Sequence, residues 1–77
     1  MTREIPLPEL GENLASAVVL AVRVSPGDLV RRDQALLEVE ADKATIEVPS
    51  PFGGVVREVR VREGEEIRVG AVITRST

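Results

Sequence analysis

Apolar and polar residues alternate along short runs of this sequence, and glycine or proline stands between the runs. A period of two residues is typical of half-buried β-strands, and the abundance of valine agrees with that interpretation. No stretch of ten or more residues keeps a helical period between the breaks. The pattern predicts strands at residues 4–8, 17–24, 29–31, 35–41, 44–49 and 55–61, and two short strands around Ile67 and Val72-Ile73.

The first two of these strands carry further information. The first contains Pro6 and Pro8, which lack an N–H for the ladder, so it is expected at the edge of a sheet. The second has an apolar residue at every other position, and this row is expected to face inward. The row consists of Val18, Leu20, Val22 and Val24.

The clearest local prediction is a hairpin with Asp42 and Lys43 as a two-residue turn. Its register opposes Ala41 to Ala44, Glu40 to Thr45, Val39 to Ile46, Glu38 to Glu47 and Leu37 to Val48. The large apolar side chains then share one face and the carboxylates the other, as a half-buried antiparallel pair requires. Lys43 is therefore expected at an exposed tip, between small alanines that leave it accessible.

The second half of the sequence echoes the first. An offset of 37 residues maps Val18 to Val55, Arg23 to Arg60 and Gly27 to Gly64, and an offset of 41 maps Ile5, Leu7 and Pro8 to Ile46, Val48 and Pro49. This duplication predicts an all-β fold of two facing four-stranded sheets related by a pseudo-two-fold axis. The chain ends are then expected to lie together, at the opposite end of the domain from Lys43.

Composition narrows the class of protein. The 77 residues are interpreted as one domain, 1–77, without cysteine for a disulfide or a thiolate metal site. A net charge of −3 and a single aromatic residue, Phe52, argue against a nucleic-acid binder. No apolar run reaches the length of a membrane span, and the N-terminus lacks the apolar core of a signal peptide. A soluble cytoplasmic domain, monomeric when isolated, is expected.

Lys43 is the only lysine, whereas the nine other basic residues are arginine. Only lysine offers a primary amine that can be acylated, so this usage suggests covalent chemistry at Lys43. A Schiff-base or general-base lysine would need burial or a neighbouring cation, which an exposed turn does not supply. The alternative, an ordinary surface lysine, stays open.

Other candidate chemistry is weak. The chain has no His, Cys, Tyr or Trp, so no catalytic residue of its own is expected. The carboxylates of the hairpin are interpreted as a solvated face and not as a metal site. Phe52 is expected to be a core plug or turn anchor.

Residues 40–44, read with residues 47–54, resemble the lipoyl domain of the acyltransferase component of 2-oxo acid dehydrogenase complexes, most closely the pyruvate dehydrogenase type. The resemblance extends over essentially the whole chain, including the opening residues 5–11. It implies a flattened barrel of two four-stranded antiparallel sheets. It also implies lipoate in amide linkage to Lys43, with Asp42, Ala44 and Glu40 beside it for recognition.

The resemblance also implies partners. These are a thiamine-diphosphate-dependent decarboxylase, the acyltransferase core, dihydrolipoyl dehydrogenase and the lipoylating enzyme. The loop 9–16, with Glu12 and Asn13, would lie near the arm and contribute to partner choice. The chain is expected to be the N-terminal piece of a longer acyltransferase.

Three alternatives remain at this stage. The first is a lipoyl domain of a 2-oxoglutarate or branched-chain complex. The second is a biotinyl carrier, in which the lysine typically sits between two methionines, unlike Asp42 and Ala44 here. The third is a small β-barrel interaction module without a covalent cofactor.

Overall fold

The computed structural model describes residues 2–77 as strands joined by turns and loops. The eight strands, in chain order, are β1 (Arg3–Pro6), β2 (Ser16–Val22), β3 (Leu29–Val30), β4 (Ala35–Ala41), β5 (Ala44–Pro49), β6 (Gly54–Val59), β7 (Glu66–Arg68) and β8 (Val72–Ser76). Every strand for which the sequence predicted bounds begins within one residue of its predicted start. Residues 2–77 contain no helix long and apolar enough to cross a membrane.

The strands form two four-stranded sheets with the orders β1-β8-β6-β3 and β5-β4-β2-β7. All neighbouring strands are antiparallel, so the predicted all-β architecture of two four-stranded sheets is confirmed. β1 lies at an edge, as its prolines predicted. Its pairing with β8, which opposes Arg3 to Ser76, also brings the two ends of the chain together.

The two long strands end earlier than the pattern predicted, at Val22 and Val59 instead of positions 24 and 61. The backbone beyond each end keeps one hydrogen bond to the neighbouring strand. Arg23 N–H donates to the Leu36 carbonyl and Arg60 N–H to the Ile73 carbonyl, both at 2.9 Å. Each segment therefore keeps part of the pairing after the regular strand has ended.

The predicted inward row of β2 is wrong at its first two positions. Val18 and Leu20 are 36% and 39% exposed, whereas Ala17 and Val19 are buried. The register of β2 against β4 shifts between Val19 and Ala21, which is the mark of a β-bulge. Because the extra residue reverses which side chains face the core, the alternation is out of phase before the bulge.

The duplication is visible in the backbone as well as in the sequence. Replacing β1–β4 by β5–β8 converts the strand order of one sheet into that of the other. The turns also match: Gly27 N–H donates to the Val56 carbonyl, and Gly64 N–H donates to the Val19 carbonyl, both at 2.7 Å. Each of these bonds extends a pairing within one sheet, β3 with β6 or β2 with β7, and connects the first copy of the repeat to the second.

The offset of 41 for the first strand is wrong by two residues. Ile5 pairs with Thr74 as Val48 pairs with Leu37, and Glu4 pairs with Arg75 as Glu47 pairs with Glu38. The structural counterparts are therefore Ile5 and Val48, Pro6 and Pro49, Leu7 and Ser50, and Pro8 and Pro51, at an offset of 43. Apolar side chains recur every second residue in strands, so a slip of two preserves the pattern and escapes detection by sequence.

Candidate functional site

The hairpin of β4 and β5 has the register that the sequence predicted. Ala41 opposes Ala44, and the ladder continues without interruption to Leu37 opposite Val48. Leu37, Val39 and Val48 are buried, so this face packs on the core. Together with Leu36, at 0% exposure, they fix the base of the hairpin and hence the direction of its turn.

Asp42 and Lys43 form the turn, and both have positive φ, at 46° and 67°. Two consecutive positive φ values define the type I′ hairpin turn, whose twist matches that of the flanking strands. Asp tolerates this conformation, but the position of Lys43 is one where glycine is strongly preferred. The turn therefore holds a lysine at a conformational cost, as functional sites often do.

The surroundings of Lys43 leave its amine free. Lys43, Asp42 and Ala44 are exposed. The ion pairs found within residues 2–77 do not include Lys43. Ala41 differs from the expectation for the flanking alanines, because it is buried at 4% exposure and closes the core beneath the turn. On the side of Ala41, the Lys43 amine is accessible because the turn projects beyond the core.

The predicted like-charge pair of Glu38 and Glu47 is confirmed by the register. The sequence interpretation missed its compensation, an ion pair from Arg23 Nη2 to Glu38 Oε2 at 3.4 Å. The pairing of Ala21 with Glu38 brings Arg23 within reach, and only the strand order could have revealed this. Residues 2–77 contain no group of three or more His, Cys, Asp or Glu side chains arranged to hold a metal ion.

Glu12 and Asn13 are exposed on the loop between β1 and β2, where Asn13 has a φ of 65°. The loop lines a groove together with Arg68 and Val69. It enters β2 at Ser16, two residues before Val18, and Val18 opposes Glu40 near the end of β4. The loop thus joins β2 at the end of the sheet that carries the Lys43 turn. Arg68 and Val69 were not among the candidate residues of the sequence, because only the β2–β7 pairing brings them here.

Phe52 lies in the connection between β5 and β6 and acts as a turn anchor there, as expected. It is half-buried against the core. The Ser50 hydroxyl donates to its carbonyl at 2.7 Å, and the guanidinium of Arg3 covers its ring at 3.7 Å from the centroid. These contacts are structural and place no reactive group near Lys43.

The arrangement suits acylation of the Lys43 amine. Forming an amide at Nζ removes the positive charge of the lysine. That loss breaks no ion pair within residues 2–77. An exposed, rigidly based turn would also carry a long acyl group without a change in the fold.

The chain is similar to known proteins over nearly its whole length. Residues 3–75 match the biotinyl/lipoyl family described as “Biotin-requiring enzyme”. The chain is 40% identical over 72 residues to the dihydrolipoyllysine-residue acetyltransferase component of the pyruvate dehydrogenase complex of Haemophilus influenzae, covering 94% of this chain and 12% of the relative. For the component of the same name from Staphylococcus aureus, identity is 40% over 75 residues, covering 97% and 17%.

A solved structure agrees with these relatives. The lipoyl domain of the 2-oxoglutarate dehydrogenase complex from Azotobacter vinelandii superposes with a TM-score of 0.74 at 30% identity, covering 96% of this chain and 94% of that domain. The chain spans well under a fifth of the length of the acetyltransferase components it matches. It therefore belongs to the family of biotinyl and lipoyl attachment domains, among the lipoyl domains.

Proposed function

We propose that Lys43 carries lipoate in amide linkage and that the domain is the swinging-arm carrier of a 2-oxo acid dehydrogenase complex, of the pyruvate dehydrogenase type. The observation that carries the proposal is the exposed Lys43 on a type I′ turn, as the only lysine of the chain. Biotin carriers share the family, but Asp42 and Ala44 stand where those proteins typically have methionines.

The chain's own residues hold and present the group. The buried side of β4 and β5 fixes the base of the turn. The exposed Asp42 and Ala44 give the lipoylating enzyme and the decarboxylase two side chains to contact. Recognition by these two enzymes is also assigned to Glu40, Glu12 and Asn13. When attached, lipoate supplies a dithiolane that can be reductively acylated and can pass the acyl group on as a thioester.

The proposed partners are the thiamine-diphosphate-dependent decarboxylase, the acyltransferase core, dihydrolipoyl dehydrogenase and the lipoylating enzyme. The chemistry of these enzymes would act on the arm, while the domain contributes no catalytic group. Membership of a longer acyltransferase, a cytoplasmic location and a monomeric isolated domain stay predictions.

Intact mass after co-expression with a lipoylating or a biotinylating enzyme tests the proposal. A lipoyl increment on Lys43, absent from Lys43→Arg, is the expected result. Arginine keeps the charge but cannot form the amide, so the thermal unfolding of that variant should match the wild type. A biotin increment instead, or no adduct with either enzyme, would contradict the proposal.

A further inference from the structure

Two apolar side chains lie exposed on the outer face of the sheet that carries Lys43. Val18 and Leu20, both on β2, are 36% and 39% exposed. The third large apolar side chain exposed within residues 2–77, Leu29, lies in the opposite sheet. Val18 and Leu20 therefore form a small apolar patch, which we call the β2 patch.

Carboxylates surround the β2 patch on both neighbouring strands. Val18 opposes Glu66 of β7 on one side and Glu40 of β4 on the other. The next strand, β5, adds Glu47 opposite Glu38. The four strands of this sheet carry four carboxylates and only one arginine, Arg68. Of the four, Glu38 alone forms an ion pair within residues 2–77, with Arg23. The face thus has an apolar centre and an acidic rim.

The β2 patch adjoins the Lys43 turn. Glu40 precedes Asp42 by two residues, and Val18 is the direct neighbour of Glu40 on β2. At about 3.4 Å per residue and about 4.8 Å per strand, Val18 lies on the order of 8 Å from the base of the turn. A protein that receives the arm in its active site would therefore come close to this face.

The opposite sheet also exposes an apolar residue, Leu29 opposite Val55, but it lacks the acidic rim. The counterparts of Val18 and Leu20 at the offset of 37 are Val55 and Arg57, and the counterpart of Glu38 is Arg75. Arg75 lies between Glu4 and Glu58 in the ladder and pairs with Glu58 at 3.7 Å. The same scaffold therefore offers a matched face with a different charge pattern.

We propose that the face centred on Val18 and Leu20 docks the decarboxylase that acylates the arm, through a partner surface with an apolar side chain ringed by arginine or lysine. The proposal rests on the proposed carrier function. An apolar centre excludes water, and complementary charge sets orientation and association rate. Exclusion of water matters most for the decarboxylase, because a proton from water would quench the nucleophilic carbon that this enzyme forms.

The test compares variants of the β2 patch with variants of the opposite face. Val18→Thr with Leu20→Thr removes the apolar centre while keeping residues suited to strands. Leu29→Thr is the matched control, because Leu29 is 76% exposed and lies in the other sheet. Glu40→Gln with Glu47→Gln removes two charges of the acidic rim. Thermal unfolding of each variant confirms that the fold is kept.

Two measurements are made with the purified decarboxylase of the pyruvate dehydrogenase complex from the same organism. The first is NMR titration of the unmodified domain, at low and at physiological salt. The second is the steady-state rate of reductive acylation of the lipoylated domain. The first readout needs no lipoate, so it decides the docking proposal even where the mass measurement contradicts the carrier function.

We expect chemical-shift changes on β2, β4 and β7, and a rise in KM of about fivefold for the double threonine variant, with kcat unchanged. The double glutamine variant should lose most of the salt dependence of binding. Leu29→Thr should stay within about twofold of the wild type. Shifts confined to other faces, or equal KM values for the β2 and Leu29 variants, would overturn the docking proposal.

Discussion

The two halves of the domain share a backbone but differ in their cores. The buried polar side chains of residues 2–77 are Ser50, Thr74 and Ser76, all in the second half. Their structural counterparts in the first half are Leu7, Leu37 and Val39, each buried and apolar. One copy of the repeat therefore has a fully apolar interior and the other does not.

This difference follows the position of Lys43. Leu37 and Val39 lie on β4, which leads directly into the Lys43 turn, whereas Thr74 and Ser76 lie on β8 beside the chain ends. The hydroxyls of Thr74 and Ser76 have no hydrogen-bond partner in the described structure. An unpaired buried hydroxyl costs about 1–3 kcal/mol. The strand that leads into the Lys43 turn therefore has apolar side chains in the core where its counterpart has unpaired hydroxyls.

The largest effect on stability is expected when a core residue of β4 is replaced by its counterpart in β8. Leu37→Thr removes an apolar side chain of 0% exposure and adds a hydroxyl to the core. We expect a loss of about 3 kcal/mol in the free energy of unfolding, measured in urea. Leu20→Thr, on the exposed face of β2, should change it by less than about 0.5 kcal/mol. Equal losses in the two variants would contradict the asymmetry of the cores.

Gly54→Ala tests a second difference between the halves, because the counterpart of Gly54 is Ala17. A Cβ at position 54 would collide with the carbonyl of Thr77. Thr77 exchanges two backbone hydrogen bonds with Val55, each 2.9 Å long, and these would break. The expected loss is about 2 kcal/mol. At Gly53 an added Cβ makes only ordinary contacts, at 3.6 Å or more, so Gly53→Ala serves as the control. Similar melting temperatures for both variants would show that the C-terminal pairing is dispensable.

Thr74→Val should stabilise the second half of the domain, whose core contains the buried hydroxyls. The substitution keeps the shape and removes the unpaired hydroxyl, so a gain of about 1 kcal/mol in the free energy of unfolding is expected. Ser50→Ala is the comparison, since the Ser50 hydroxyl donates to the Phe52 carbonyl at 2.7 Å. That variant should lose about 1 kcal/mol. A loss in Thr74→Val would mean that its hydroxyl is satisfied in solution.

The smallest expected effect concerns the turns. Gly27, Gly64 and Gly70 have positive φ, whereas Lys43 adopts such a φ at a cost. Lys43→Gly should therefore raise the free energy of unfolding by about 0.5 kcal/mol while abolishing modification. Asp33→Gly, with a φ of 72° and Gly70 as its counterpart, should give a similar gain and leave modification intact. Destabilisation by Lys43→Gly would show that the lysine side chain supports the fold.

Much of this molecule could be predicted from local pattern. The alternation of apolar and polar residues located the strands, and the two-residue turn fixed the β4–β5 register as far as Leu37 opposite Val48. The repeat at an offset of 37 predicted the two sheets, because neither copy could bury its apolar face alone. Lysine usage and the residues around position 43 predicted the candidate attachment site.

Other features depended on contacts between distant strands. The bulge that turns Val18 and Leu20 outward, the ion pair of Arg23 with Glu38 and the groove at Arg68 all arise from pairings of β2 with β4 or β7. The true offset of β1 likewise required its register against β8. Sequence alone could not supply these, because a slip of two residues keeps the same alternation.

The sequence by itself determined that this chain is a duplicated β-domain with one acylatable amine at the tip of a hairpin. Only the tertiary structure decided which apolar residues of β2 face water, how charge is distributed over the two faces, and which half has the apolar core. The reason is physical: alternation specifies that a strand has two faces, while bulges and cross-strand partners decide which face packs inward.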